Sequence, residues 1–483
     1  MRETGRPKVS RRRLLAGAAT GLVGGLAGCG YRPGGGDLAW EESLGSGGLL
    51  RTGTPRFTTT DDRLFAVRNQ SGRTFDFESE TWQEVENATV TAVDRDGTTL
   101  LDVETERQAV APPAVTEGSV FVPVERGRVT AIDRDAAEID PNEARTTTDG
   151  GESDATVGDE IRWRVDEITA DDGESGESAD DSESGESADD SESGESADDS
   201  ESGESADDGE SGESEGPPEI DGVRASDRLV AVIGATDFVV LDAETGERAF
   251  EVTEAWAELD DVGLGADADR VAVDGEDVWV VVEGTESDAG SEDVPSVVVR
   301  FGPSGERRAE RPISDGVDWL VVVDGTVVLG NAGRGSSVTG YDRDLDRQFT
   351  LEVPTPADPP PVVEGDGGDT ASRVYLTRSG TVRAVDVTAG EIAWERSGVP
   401  VNRGFAVDAD GIYAVSSRAR GQSIIAVGAD GADRWTAPLP ADVTVDDLFA
   451  VADRLVVVDD DELYGLHATP GERWSLLGAV RRW

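Results

Sequence analysis

Short runs in which every second position is apolar recur along this chain, and turns of Asp, Gly and small polar residues separate them. The stretch AVDVTAGEIAW, residues 384–394, shows the unit. Ala384, Val385 and Asp386 end one run, Gly390 lies in the turn, and Trp394 stands four residues further on. An Asp that bonds nearby backbone and a Gly free to take φ > 0 are what a tight hairpin needs, so the period-two pattern predicts two antiparallel strands. The same steps recur at Asp242, Gly246 and Phe250, and in altered form around Asp94, Asp133, Gly302, Asp342, Gly428 and His467.

Successive Asp positions are separated by 39, 109, 60, 40, 44, 42 and 39 residues, and the two long steps carry insertions. A second pair of β-rich runs precedes the hairpins, as in GSVFVPVERGRVTAID and ASRVYLTRSGTVRAVD. Four strands repeated about every 40 residues predict an all-β fold, an eight-bladed β-propeller of four-stranded antiparallel blades, with seven blades as the alternative. The expected blades span 57–104, 109–165, 222–253, 269–313, 317–353, 372–397, 404–438 and 446–477, with Ile161 to Val165 as the delayed fourth strand of the second. Trp40 reads as part of an outer strand that either closes the ring or caps its outside, because the last unit brings its own Trp474.

The pattern small-x-Asp-x-x-x-Gly-x-x-x-Trp, as in Ala384, Asp386, Gly390 and Trp394, resembles the repeat of the PQQ-like β-propeller family. That family includes quinoprotein dehydrogenases and the lipoprotein subunit of the outer-membrane β-barrel assembly machinery. The likeness runs from about residue 37 to the end and implies that the Trp slot wedges between neighbouring blades. Trp163, Trp394, Trp435 and Trp474, with Phe250 and Phe349, fall in that slot, so their expected role is packing.

Residues 1–28 read as an export signal. Arg11, Arg12 and Arg13 sit in a twin-arginine pattern, a run of small apolar residues follows, and Leu26-Ala27-Gly28-Cys29 resembles a lipobox. The apolar run is shorter than the roughly 20 residues that span a bilayer, so cleavage is expected and Cys29, the only cysteine, is the expected lipidation site. Residues 29–36 then form a lipidated flexible spacer, and the propeller fills 37–483. It is interrupted at 166–220 by a Ser/Gly/Asp/Glu-rich insertion, expected to be disordered because it has almost nothing apolar to bury.

Charge narrows the setting. The net formal charge is −59, and from residue 29 onward 37 arginines face 101 carboxylates with no lysine, since Lys8 is the only one. Such a composition resembles proteins of extreme halophiles, and with the signal it suggests a lipoprotein of a halophilic archaeon. Concentrated salt shortens the screening length to about 3 Å and removes the self-repulsion. The same surface argues against nucleic acid as a partner, which needs clustered cations.

Candidate chemistry is sparse. In quinoprotein dehydrogenases the resemblance implies adjacent cysteines, an Asp base and a Glu, Asn and Asp set on Ca²⁺; none of these aligns here, so neither PQQ nor Ca²⁺ is expected. His467, the only histidine, occupies an Asp position of the repeat and reads as a turn residue, and no thiol serves as a nucleophile. The clusters Asp342/Asp344/Asp346 and Asp459/Asp460/Asp461 lack the calcium-loop pattern. Asn69 and Asn87 match the N-glycosylation acceptor pattern. The expectation is a monomeric, non-catalytic protein-interaction scaffold, anchored to the extracytoplasmic face of the cell membrane through lipid on Cys29. A PQQ-dependent oxidoreductase and a solute- or glycan-binding lipoprotein are the alternatives.

Overall fold

The computed structural model describes residues 31–32, 34–44, 51–76, 81–136, 160–165, 220–234, 238–251, 268–283, 296–313, 316–333, 335–365, 371–401, 404–418, 421–439, 443–469, 472–474 and 480–482. Eight four-stranded antiparallel sheets stand in a ring as the blades of a β-propeller. Seven of them use strands consecutive in sequence. Blade 1 comprises Arg51–Thr59, Arg63–Asp76, Thr81–Asp94 and Thr99–Glu104, and blade 2 comprises Ala114–Val115, Ser119–Val124, Arg128–Asp133 and Ile161–Val165. Blades 3 to 7 begin at Ile220, Val271, Trp319, Val362 and Phe405. The only helical element among the described residues is the 3₁₀ turn Ala268–Arg270.

Blade 8 is composite. Asp447–Val451, Arg454–Asp459 and Glu462–His467 supply three strands, and Leu38–Ser43 from the N-terminus supplies the outer one. Trp40 pairs with Gly465 and Glu41 with Tyr464. The ring therefore closes with eight sheets, and Trp40 occupies the aromatic slot that Trp474 was expected to fill. Trp474 belongs instead to a separate three-stranded sheet of Tyr31–Arg32, Glu472–Trp474 and Val480–Arg482. The expected flexible spacer is also partly structured. Tyr31 and Arg32 pair with Arg473 and Glu472, and Gly35 lies so close to Trp435 that a Cβ there would sit 2.5 Å from the indole.

One geometry recurs at every blade. The outer strand bulges beside the slot residue, which faces a position two before the hairpin Asp: Trp163 opposite Ala131, Phe250 opposite Val240, Phe349 opposite Gly340, Trp394 opposite Ala384, Trp435 opposite Ala426 and Trp40 opposite Gly465. Blades 1 and 4 place Leu101 and Ala309 there. The facing residues are mostly small because the ring lies across them; a Cβ on Gly340 would meet Phe349 at 2.1 Å. Each ring then reaches the next blade. The indoles of Trp40, Trp163, Trp394 and Trp435 donate to the carbonyls of Arg95, Ala243, Ala429 and Ala468 at 2.7, 3.0, 2.7 and 3.0 Å. Every acceptor is the residue following the Asp position of the neighbouring hairpin. Gly390, at φ 66°, carries the close approach at the seam between blades 5 and 6: Phe349 Cβ would lie 2.7 Å from any added side chain.

Apolar burial follows the seams. Eight separate core clusters each combine side chains of two successive blades, and the one joining blade 8 to blade 1 contains Leu44, Leu64, Val93, Val456 and Leu463 with Trp40 against it. Blade 4 compensates for its missing ring with charge. Asp277, 2% exposed, accepts from Arg300 at 2.6 Å and Arg308 at 2.8 Å, and Arg343 reaches it from blade 5 at 3.4 Å. Arg300 also stacks over Trp279 at 5.3 Å.

Candidate interaction surface

Antiparallel order puts the first and third turns of every blade on one face of the ring and the second turns on the other. The first face carries the Asp hairpins, and the capping expected of them is present: Asp242 Oδ1 accepts from the backbone of Glu244 and Thr245, Asp386 Oδ1 from Ala389, and Asp94 Oδ1 from Asp96 and Thr98. Asp342 does the same for Asp344 and Asp346, and its other oxygen accepts from Gln348 at 2.7 Å, so this acidic cluster is a closed turn. His467 lies where the N-terminal segment enters blade 8, its backbone bonded both ways to Gly36 and Asp37. Burial, and secondarily Arg454, hold its imidazole below the usual histidine range.

A cavity of about 790 Å³ opens on this face between the first turns of blades 1, 7 and 8 and the inner strand of blade 6. Asp61, Glu364, Asp408, Asp410 and Asp453 line it. Burial raises the Asp408 carboxyl above its ordinary range despite the Tyr413 hydroxyl donating to it at 2.8 Å. Arg434 bonds Tyr413 and Asp410, both at 2.8 Å. A second cavity of about 820 Å³ lies on the opposite face between blades 8 and 1, with Asp446, Asp447, Asp460 and Asp461 in its wall. Among the described residues no group of three or more His, Cys, Asp or Glu is placed to hold a metal ion.

The feature that sequence reading missed is an arm. The second and third strands of blade 1 pair without a break from Arg63–Asp94 to Asp76–Thr81, whereas the inner strand reaches only Gln70 and the outer one only Thr89. Beyond those limits a two-stranded hairpin leaves the ring on the face opposite the Asp turns. Near its tip Phe75 and Trp82 pack at 5.4 Å, and Trp82 is 67% exposed. Alternation could not mark it, because residues 68–74, RNQSGRT, carry no apolar side chain.

Both sequon asparagines lie in strands of blade 1 rather than loops. The Asn69 carboxamide donates to the Ala109 carbonyl at 2.9 Å and accepts from the Ala109 amide at 2.8 Å, bridging blade 1 to the segment entering blade 2. Asn87 bonds the exposed Glu104 at 3.2 Å. Arg11, Arg12, Arg13, Cys29 and the 166–220 insertion up to residue 219 lie outside the described residues.

Residues 378–480 match the family model described as outer membrane protein assembly factor BamB. No curated protein matches the chain. By structure the chain is similar to BamB from Moraxella catarrhalis, with 13% identity, a TM-score of 0.43 and coverage of 89% of this chain and 98% of that one. It is similar also to the computationally designed protein Ika8, at 11% identity, TM-score 0.47 and coverage of 88% and 98%. Sqt1 of Saccharomyces cerevisiae follows at 9% identity, TM-score 0.46 and coverage of 90% and 99%. The chain is an eight-bladed β-propeller by its own strand order, and its residues 378–480 match that family model.

Proposed function

We propose that this protein is a lipid-anchored scaffold on the extracytoplasmic face of the cell membrane, which binds a protein partner through the blade 1 arm and performs no chemistry of its own. The observation that carries the reading is the exposed Trp82–Phe75 tip, held clear of a ring that is stiffened at each seam. A large aromatic at the end of a hairpin suits a protein interface, where such residues anchor binding. The family match over blades 6 to 8 agrees with an interaction role. The anchor rests on the lipobox ending at Cys29, and the setting on the arginine-only, acidic composition.

Leu38 pairs with Leu466 and Ser43 with Glu462, so the chain enters blade 8 on the Asp-turn face, while the arm leaves by the other. An anchor just upstream therefore leaves the arm pointing away from the membrane. The test is crosslinking of the full lipoprotein in native membranes at high salt. A defined partner should be captured by the natural chain and lost with Trp82→Ser at unchanged melting temperature; equal capture by both would refute the arm as the docking element. Cys29→Ala should release the protein into the medium, and retention of that variant would refute the anchor.

A further inference from the structure

A cavity of about 250 Å³ lies between blades 4 and 5, and its chemistry differs from that of the two acidic cavities. The strand Arg307–Ile313 turns Ala309, Arg311 and Ile313 toward blade 5, with no aromatic ring among them. Arg311 stacks on Tyr341 at 5.4 Å and donates to the Leu345 carbonyl, so its guanidinium is fixed at one side. Across from it stand Arg347, Ser337, Thr339 and Thr350, over a floor of Val317 and Leu329.

Two properties of the lining point to a ligand. It contains no carboxylate, in a chain with 102 of them. Asp346, the carboxylate beside Arg311, is 83% exposed and 3.9 Å from it, a separation at which solvent screens most of the attraction. The Arg347 side chain forms no hydrogen bond or ion pair among the described residues, and it lines the cavity at its exposed side. Thr339 and Thr350 hold their hydroxyls 3.3 Å apart beside it, each able to donate and accept. A planar cation next to paired hydroxyls suits a molecule with a carboxylate at one end and hydroxyls along its length.

We propose that this cavity binds one sugar-sized carboxylic acid, a uronic acid, with its carboxylate on Arg347 and its hydroxyls on Ser337, Thr339 and Thr350. The volume is below the roughly 300–1,000 Å³ of sites for drug-sized ligands, which limits the occupant to a single ring. The same chemistry arrives either as a free acid or as the terminal residue of an acidic glycan.

Calorimetric titration of the full chain, in potassium chloride at a concentration that keeps it folded, tests the proposal with glucuronate, glucose, acetate and a disaccharide ending in glucuronate. Glucuronate should bind saturably at one site, at least about tenfold tighter than glucose or acetate, and Arg347→Gln should weaken it about tenfold or more at unchanged melting temperature. Thr350→Val should weaken glucuronate and leave acetate unaffected. Binding of the disaccharide as tightly as the free acid assigns the site to glycan ends, and its exclusion assigns it to free solute. Equal affinity in the folded Arg347→Gln variant, equal binding of glucose, or no saturable binding of glucuronate would overturn the proposal.

Discussion

The indole N–H of Trp40 donates to the carbonyl of Arg95 at 2.7 Å, across 55 positions of sequence, and this bond ties the strand Leu38–Ser43 to blade 1. The strand itself belongs to blade 8, so residues 38–43 and 447–467 share one sheet and the circle has no open edge there. Each of three other tryptophans makes the same bond to the hairpin that follows, and ring closure thus reuses the seam found between ordinary neighbours.

Trp435, 6% exposed, fills the seam between blades 7 and 8. Trp435→Ala should cost about 3–5 kcal/mol in chemical denaturation. Trp435→Phe keeps most of the packing and loses only the bond to Ala468, a cost of about 1 kcal/mol. Equal losses for the two would assign the seam to the hydrogen bond rather than to the ring.

The seam between blades 4 and 5 should respond to charge instead. Removing the buried carboxylate in Asp277→Ala leaves Arg300, Arg308 and Arg343 facing one another. A loss of about 3 kcal/mol is expected, at the low end for a broken buried pair because Arg308 and Arg343 keep side-chain exposures of 31% and 49%. Unchanged stability would show that the cluster is incidental.

His467 should titrate below 6.5, visible as the single imidazole in a proton spectrum. Its folded form resists protonation, so the unfolded chain binds the proton first. Stability from this group is therefore complete above pH 6.5 and falls as pH drops toward the folded value. His467→Gln should abolish that slope, measured as the difference between the two denaturation midpoints against pH.

Dialysis from molar salt into dilute buffer should reduce the far-UV β signal. With a net charge of −59, lengthening the screening distance from about 3 Å toward 30 Å sets carboxylates of neighbouring blades against one another. An unchanged spectrum would remove the halophilic reading.

The circular plan was legible because Asp, Gly and Trp recur at a fixed spacing, a local property of each hairpin. What escaped depended on partners distant in sequence. Trp40 and Trp474 are equivalent as letters, and only pairing to Gly465 separates them. The inner strand of blade 6, Val362–Val363, is two residues long and follows Pro359, Pro360 and Pro361, so alternation had nothing to register. Asp277 is one of 102 carboxylates in the sequence, and only the sheets bring three arginines to it. Ala309 is invisible as a slot position without the bulge that shifts its register, and the cavity beside Arg311 and Arg347 escaped for the same reason.

Ring closure by the N-terminal strand is tested most directly by a disulfide between positions 41 and 464, which face each other in the structure. In a Cys29→Ser background, Glu41→Cys with Tyr464→Cys should oxidise nearly completely in the folded protein and raise its melting temperature, while either cysteine alone stays a free thiol. Two free thiols in the folded double variant would contradict an eight-bladed ring sealed by the strand Leu38–Ser43.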